Sequence, residues 1–345
     1  MEPLTRLLVL FGALGFLLAF PPALSAQTPA PAEEAAAPSA KKALKARAKA
    51  AKKPPPTPAK ELFGAAKTPA SMTARAIGFY AKGCLAGGAA LPIDGPAWQA
   101  MRLSRNRNWA HPELVALVKK LALEAKEHDG WPGLLVGDMS QPRGGPMLTG
   151  HASHQVGLDA DIWFTPMPDR RLTEKEREEL SATSMLAPDR ISVNKQFWTD
   201  AHYRLLKRTA SYPEVQRVLV NPAIKKAVCD AAKDEKDRAW LAKVRPIWGH
   251  HYHFHIRMTC PKGSTNCEAQ TAPGPDDGCG AELQRWLALV KNPPKPGPVV
   301  ERAPITLAQL PADCRTVLAG DAPDLPPAPA KQAKPQAAKK ATTTK

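Results

Sequence analysis

Residues 150–164 read GHASHQVGLDADIWF and hold two different signals in one short segment. The last six residues, 159–164, include the aromatic and aliphatic side chains of a buried strand, and Pro166 and Pro168 follow soon after, as is typical where a strand ends. The nine residues before the strand contain two histidines, and Gly157 gives the chain freedom to turn there. The segment predicts a polar loop that enters a central strand.

A second histidine-rich segment, residues 248–255, reads WGHHYHFH. We predict a strand over 252–258, in which alternate side chains point to opposite faces. The aromatic and aliphatic alternates are expected to enter the core: Tyr252, Phe254 and Ile256. The other face would carry polar side chains: His253, His255 and Arg257. By the same rule, Asp159 and Asp161 share one face of the first strand.

Outward from these two strands, the chain alternates short elements without a repeating βαβ order. Apolar periodicity predicts further strands over 134–136 and 217–220 and helices over 112–126, 173–180, 195–209, 223–232, 237–243 and 281–290. This order indicates an α+β fold. We expect a small antiparallel sheet that carries the histidines and is flanked by helices.

The ends of the chain differ from its middle. Residues 1–26 combine Arg6, a 14-residue apolar run and, at the end, small residues of the kind found at a signal-peptidase cleavage site. This pattern predicts a cleaved secretory signal rather than an uncleaved anchor. No apolar run reaches the roughly 18 residues that span a bilayer. Residues 27–60 and 321–345 are Ala/Pro/Lys-rich and are expected to be a disordered linker and a disordered basic tail. A single folded domain is expected over 61–320.

The formal charge of +16 is concentrated in those ends. Residues 27–60 contribute +6 and residues 321–345 contribute +3, which leaves +7 for the predicted domain. Basic tails of this kind attach loosely to anionic surfaces. The charge is therefore no sign of a nucleic-acid partner, and the chain has no glycine-rich phosphate loop typical of nucleotide enzymes.

Six cysteines in a secreted chain predict three disulfides. Six cysteines allow fifteen pairings, and spacing alone favours only a local Cys260–Cys267 loop. No C-x-x-C spacing is present, which argues against a cysteine zinc ribbon or a thioredoxin site.

Clustered histidines with nearby carboxylates are typical of a first-row metal site. His154 and Asp161 are seven residues apart, which fits a loop ligand and a strand ligand rather than a helical pair. Two imidazoles and one carboxylate leave a fourth position open, as in catalytic zinc sites. The alternatives are a hydrogen-bonded polar face, or a serine nucleophile at Ser153, which lacks the G-x-S-x-G elbow. The histidines outside the two clusters are expected to be structural: His111, His128 and His202.

Several motifs together resemble the penicillin-insensitive murein endopeptidases, a family related to zinc D-alanyl-D-alanine peptidases and lysostaphin-type enzymes. The resemblance covers residues 75–315 and is carried by 104–107 (SRNR), 137–145, 150–162, 220–225 (VNPAIK), 250–255 and 277–283 (DGCGAEL). It implies one catalytic zinc ion held by His154, Asp161 and His255. It also implies catalytic roles for His253, beside the metal, and for His250, as the general base.

The same resemblance implies further metal contacts at His151 and Asp189. Ser192 stands where the family has a histidine, which argues against a second ion. The implied disulfides are Cys84–Cys314, Cys229–Cys279 and Cys260–Cys267. Arg143 is a candidate for binding a substrate carboxylate, with turn stabilisation as the alternative, and Asp159 and Gln155 are expected to support the ligands.

The resemblance implies a periplasmic enzyme whose partner is peptidoglycan and whose reaction cleaves D-alanyl–meso-diaminopimelate cross-links. No serine would be acylated, so β-lactams would have no target. Two alternatives stay open: a zinc D-Ala-D-Ala carboxypeptidase, and a non-catalytic wall- or metal-binding protein. The sequence does not determine an oligomeric state.

Overall fold

The computed structural model describes residues 56–295, 297–298 and 303–320. Within them the strands are β1 Arg75–Phe79, β2 Lys82–Ala86, β3 Ala89–Ala90, β4 Trp98–Ala100, β5 Trp109–Ala110, β6 Leu134–Val136, β7 Asp159–Trp163, β8 Val215–Val220, β9 Val244–Pro246 and β10 His253–Met258. The α-helices are α1 Ala59–Ala65, α2 Pro112–His128, α3 Glu174–Glu179, α4 Asp200–Ser211, α5 Pro222–Ala231, α6 Ala281–Lys291 and α7 Asp313–Ala319. Three short 3-10 helices complete the described part: Leu103–Arg105, Ala239–Lys243 and Leu307–Gln309.

A six-stranded sheet in the order β4-β6-β7-β10-β8-β9 forms the centre of the fold. Its four inner strands are antiparallel, whereas β4 pairs with β6 and β8 pairs with β9 in parallel. The predicted α+β class is confirmed, and the parallel outer pairs are a feature that the sequence patterns did not predict. None of the helices in the described ranges is both long and apolar enough to cross a membrane.

The pairing of β7 with β10 sorts the side chains onto two faces. His255 lies opposite Asp161 and Arg257 lies opposite Asp159, so the polar residues of both strands share one face. The alternate residues lie fully buried in the main core: Ala160, Ile162, Phe254 and Ile256. Helices α2 and α4 cover this core with apolar residues such as Leu114, Leu121 and Leu205.

Tyr252 departs from the predicted strand face. Strand β10 begins at His253, and Tyr252 precedes it with 38% of its surface exposed. Its backbone carbonyl accepts a hydrogen bond from Phe164 N at 3.0 Å, which continues the pairing of β7 with β10, but its side chain lies at the surface. The expectation that Tyr252 enters the core was therefore wrong.

The N-terminal hairpin β1–β2 is tied to the C-terminal helix α7. Disulfide Cys84–Cys314 joins them in a small second core that also contains Ala59, Phe63 and Val317. The other two disulfides are Cys229–Cys279 and Cys260–Cys267. These three pairings are those that the family resemblance implies.

The predicted ends of the chain lie largely outside the described residues. The signal 1–26, nearly all of the linker 27–60 and the tail 321–345 fall there. Helix α1 begins at Ala59, two residues before the predicted start of the domain. Ala59 and Phe63 are fully buried, so the folded part includes the last residues of the predicted linker. Residues 239–243 form a 3-10 helix where an α-helix was predicted.

Candidate metal centre

The candidate centre lies on the polar face of β7 and β10. Asp161 projects from β7, His255 lies opposite it on β10, and the loop before β7 brings His151 and His154 to the same place. Gly157 makes this loop possible, with φ at +71°. A Cβ atom there would lie 2.9 Å from His111 N and 2.7 Å from a Leu85 methyl group, so a side chain at this position would displace the loop.

Asp161 is the common neighbour of the imidazoles. Its Oδ1 lies 3.5 Å from His154 Nε2 and 3.1 Å from His255 Nδ1, and its Oδ2 lies 3.5 Å from His151 Nδ1. Two ligand atoms of a tetrahedral zinc ion, each bound at about 2.0–2.1 Å, lie about 3.3 Å apart. The observed separations match that value.

Two carboxylates fix which ring nitrogen faces Asp161. Asp159 Oδ1 lies 2.9 Å from His255 Nε2, and Asp138 Oδ2 lies 3.0 Å from His151 Nε2. Because an ionised carboxylate only accepts hydrogen bonds, each Nε2 carries a proton, which leaves Nδ1 as the ring nitrogen that binds a metal once it has lost its own proton. Metal-binding histidines in proteins are oriented in this way. Both imidazoles are therefore arranged as ligands.

Hydrogen bonds from neighbouring residues fix the position of the Asp159 carboxylate beside His255. Arg257 donates to it from Nε at 2.7 Å and from Nη2 at 3.2 Å, and the backbone N–H of His154 donates at 2.9 Å. The Arg257 guanidinium also lies 4.2 Å from the ring centroid of Tyr80. These contacts fix the loop that carries His154, as expected for a supporting role of Asp159. Gln155 also has a structural role, since it bonds to backbone atoms of Ala81, Gly83 and Ala152.

The charges at the centre favour a bound cation. Burial raises the pKa of Asp161, but the charges of His154 and His253 outweigh burial and hold it well below its usual value. Burial lowers the pKa of His154. Burial also disfavours charge on His255, yet Asp159 and Asp161 raise its pKa to about 9. Two buried carboxylates thus draw positive charge to this point.

Unpartnered buried atoms test whether the residues fit a metal. Neither ring nitrogen of His154 has a hydrogen-bond partner, and Asp161 Oδ1 also has none. Buried polar atoms are nearly always paired, and His154 is fully buried. Coordination of a metal ion would pair His154 Nε2 and Asp161 Oδ1, which lie 3.5 Å apart, so these two donors fit one. His154 also has a left-handed backbone, with φ at +66°, which proteins tend to retain at functional positions.

The two predicted catalytic histidines lie beside the cluster. His253 Nε2 is 3.7 Å from Asp161 Oδ1, and burial lowers the pKa of His253 to about 4. The ring of His250 lies 4.8 Å from that of His253 and 5.9 Å from that of His255. His250 Nδ1 is 2.9 Å from the carbonyl of Trp248, so Nδ1 carries the proton and Nε2 is free to accept one.

Two predicted site residues have other contacts. Asp189 is exposed, and its carboxylate accepts from the backbone N–H groups of Ile191 and Ser192 and from the Ser192 hydroxyl, outside the cluster. Arg143 donates to the carbonyls of Thr68, Val317 and Leu318. These contacts favour a structural role, the alternative that the sequence left open for Arg143.

Asp138 is the residue that the sequence reasoning missed. Its carboxylate is nearly fully buried and accepts from Arg105, Arg107 and His151. The signal available was its position two residues after the end of the buried strand β6, which lies next to β7 in the sheet. A single sequence does not give that adjacency.

Two openings border the centre. A cavity of about 270 Å³ is lined by residues of the cluster, including Asp138, His151, Asp161 and His253. A cleft of about 520 Å³ is lined by Gly249 and His251, the two neighbours of His250 in the chain. The cavity thus opens onto the cluster itself, whereas the cleft adjoins the segment that carries His250.

Residues 76–319 match the family described as penicillin-insensitive murein endopeptidase. The chain is 42% identical over 253 residues to the enzyme of that name from Klebsiella pneumoniae subsp. pneumoniae, which covers 72% of this chain and 88% of that protein. The protein of the same name from Haemophilus influenzae is 41% identical over 244 residues, with 70% and 82% covered. The one from Escherichia coli is 39% identical over 250 residues, with 72% and 88% covered. The chain belongs to the penicillin-insensitive murein endopeptidase family.

Proposed function

We propose that this protein is a periplasmic, zinc-dependent endopeptidase that hydrolyses D-alanyl–meso-diaminopimelate cross-links in peptidoglycan. The observation that carries the proposal is the buried cluster of Asp161, His154 and His255, in which donor atoms lie 3.1–3.5 Å from Asp161 Oδ1. Membership in the family supports the reaction and the substrate class.

The donor set supports zinc as the metal. Imidazole nitrogens and one carboxylate are ligands that zinc accepts in catalytic sites. We assign His154, Asp161 and His255 as the three ligands that leave a position open for water, and His151 as a further ligand in a five-coordinate site, because its Nδ1 faces Asp161. When bound, zinc supplies Lewis acidity, which polarises a carbonyl group and acidifies water.

The protein's own proton carriers complete the proposal. His250 Nε2 is the unprotonated nitrogen of a ring whose Nδ1 donates to the Trp248 carbonyl. It would accept a proton from the attacking water and return one to the leaving amine. His253 Nε2 faces Asp161 and would donate to the oxyanion that forms at the scissile carbonyl. No serine needs to be acylated in this scheme.

The two openings favour a cross-linked substrate over a terminal one. A cross-link continues as a peptide on both sides of the scissile bond, whereas a carboxypeptidase releases a single alanine. The cavity of about 270 Å³ and the cleft of about 520 Å³ offer room for two peptide strands.

The test is incubation of the purified protein with cross-linked muropeptide dimers, with and without a chelator, followed by product analysis. We expect dimers to become monomers, with activity lost on chelation and restored by zinc. His154→Ala should remove the activity, while His128→Ala, at an exposed helix end, should keep it. Loss of only a terminal alanine would identify a carboxypeptidase. No turnover after zinc restoration would favour a binding protein.

A further inference from the structure

The cleft of about 520 Å³ is lined by none of the proposed metal ligands or proton carriers, and what it recognises in the substrate is still to be assigned. Its lining comes mainly from two segments, residues 184–194 and 248–251, with Asn221 and Val290. His250 lies between two of the lining residues in the chain, and its ring lies 4.8 Å from that of His253. The cleft is therefore lined by the residues on either side of His250 in the chain.

The walls of the cleft are fixed by hydrogen bonds between the two segments. His251 Nδ1 lies 2.9 Å from the Ser184 hydroxyl, and Met185 N donates to the carbonyl of His251 at 2.8 Å. Asn221 Nδ2 donates to the carbonyl of Gly249 at 2.9 Å. The cleft is thus preformed, as binding sites commonly are.

Arg190 is the only charged residue among the lining residues that the structure assigns to this cleft. Its side chain is exposed, and within the described residues its guanidinium makes no hydrogen bond or ion pair. Its backbone is left-handed, with φ at +62°, and is held by a hydrogen bond from Arg190 N to the Ala187 carbonyl at 3.0 Å. An unpaired guanidinium is suited to bind a carboxylate.

The rest of the lining is mostly apolar. Trp248 has 44% of its surface exposed, and its ring is held edge-to-face against Trp286 with centroids 5.7 Å apart. Leu186, Pro188 and Val290 also line the cleft, which contains no carboxylate. The cleft thus combines one cation with an apolar surface, whereas the adjacent centre holds the buried carboxylates Asp159 and Asp161.

We propose that this cleft binds the diaminopimelate side of the cross-link and that Arg190 pairs with its free carboxylate. This inference rests on the proposed function. In such a cross-link, the carbon that bears the acylated amine also bears a free carboxylate, so an anion lies next to the scissile bond. The apolar walls would contact the methylene chain of the same residue. Arg190 is then a specificity-determining residue.

The test compares Arg190→Ala with the wild-type protein on two dimers, one with this carboxylate free and one with it converted to a carboxamide. We expect Arg190→Ala to raise KM about tenfold on the free acid, as for a charged hydrogen bond, with a smaller change in kcat. On the carboxamide, wild type and variant should have similar KM values, because the variant and the amide remove the same ion pair. Arg285→Ala removes an equal charge from an exposed position of helix α6 that does not line the cleft, and should behave as wild type.

An unchanged KM for Arg190→Ala on the free acid would overturn the inference. An equal rise in KM on the free-acid and carboxamide dimers would also overturn it. Failure of the proposed function is distinguishable from this result. If the wild-type protein cleaves neither dimer, calorimetric binding of the free acid is compared for wild type and Arg190→Ala. A tenfold weaker affinity in the variant supports the cleft assignment, and equal affinity overturns it.

Discussion

Asp138 Oδ2 lies 3.0 Å from Nε2 of His151 and thereby turns Nδ1 of that ring towards Asp161. Arg107 donates to the same oxygen at 2.8 Å and Arg105 at 3.0 Å. Burial raises the pKa of Asp138, but the hydrogen bonds from His151 and Arg107 outweigh burial and lower it to about 2. The carboxylate is therefore ionised at neutral pH and fixes the His151 tautomer.

Replacing this carboxylate should weaken metal binding without unfolding the protein. In Asp138→Asn the side chain keeps its shape but loses its charge, so its neutral amide oxygen holds the proton on Nε2 of His151 less strongly. Loss of such a supporting group typically lowers metal affinity by about 10–100-fold, and we expect a loss in that range. Competition with a zinc-binding dye would measure it.

The matched control is Asp94→Asn. Asp94 also accepts from a buried arginine, Arg177, at 2.6 Å, but it takes no part in the cluster. This variant should keep the zinc affinity of the wild type. Equal affinity in Asp138→Asn and Asp94→Asn would show that the contact with His151 does not support the metal.

Zinc should stabilise the folded protein through Asp161. A ligand that binds only the folded state adds about 2.7 kcal/mol at a free concentration of 100 times its Kd. We expect zinc to raise the thermal midpoint of the wild-type protein and a chelator to lower it, while Asp161→Asn shows little response to either. Asp189→Asn changes an exposed carboxylate outside the cluster and should respond as the wild type. A full zinc response in Asp161→Asn would remove this residue from the ligand set.

Strongly periodic elements were predictable from the sequence. The helix predicted over 112–126 is Pro112–His128, and the strand predicted over 134–136 is Leu134–Val136. Both are delimited by local signals, such as His111, which accepts from Glu113 N at the start of the helix. Local chemistry fixes such elements, so a single sequence is sufficient to find them.

The N-terminal strands were not predictable in the same way. Strand β2, Lys82–Ala86, reads KGCLA and pairs with β1, Arg75–Phe79. The segment has no alternating pattern, because four of its five residues are buried. What holds it in place is distant in sequence: disulfide Cys84–Cys314 and the contact with helix α7. Such long-range partners cannot be read from local periodicity.

At the centre, the sequence indicated the proposed ligands and the supporting role of Asp159, but not the roles of Asp138 and Arg190. Alternation predicted that Asp161 and His255 each lie on the polar face of a strand, and the structure pairs these two strands so that the residues are opposite each other. The part played by Asp138 depends on β6 lying beside β7, and the position of Arg190 depends on how residues 184–194 fold back against His251. Both relationships are tertiary, so neither motif nor spacing reveals them.

His202 should make stability depend on pH. Its Nδ1 accepts from Thr199 N at 3.1 Å, and its Nε2 lies 3.1 Å from the Phe164 carbonyl, so the folded protein requires a neutral ring. Burial lowers the pKa of His202 from 6.5 to about 4. Below pH 6.5 the unfolded chain therefore binds a proton that the folded chain does not, and stability falls as the pH drops.

The size of this effect follows from the shift in pKa. Each pKa unit corresponds to about 1.4 kcal/mol, so His202 should account for a loss of about 3 kcal/mol between pH 6.5 and pH 4. Urea unfolding across this range would measure it in the wild type and in His202→Asn, which keeps an acceptor for Thr199 N. The variant should lose less stability on acidification. If the free energy of unfolding fell equally with pH in the two proteins, the acid sensitivity would belong to other groups.

Disulfide Cys84–Cys314 should contribute more stability than Cys260–Cys267. The first joins residues 230 apart and is fully buried at both ends, whereas the second joins residues seven apart. Chain-entropy arguments give about 5 kcal/mol for the long loop and about 2.5 kcal/mol for the short one. Replacing each pair by alanine and measuring urea unfolding should show the larger loss for the buried pair, because β1–β2 would then be free to separate from α7. Equal losses would mean that the packing around Phe63 and Val317 holds the hairpin without the covalent link.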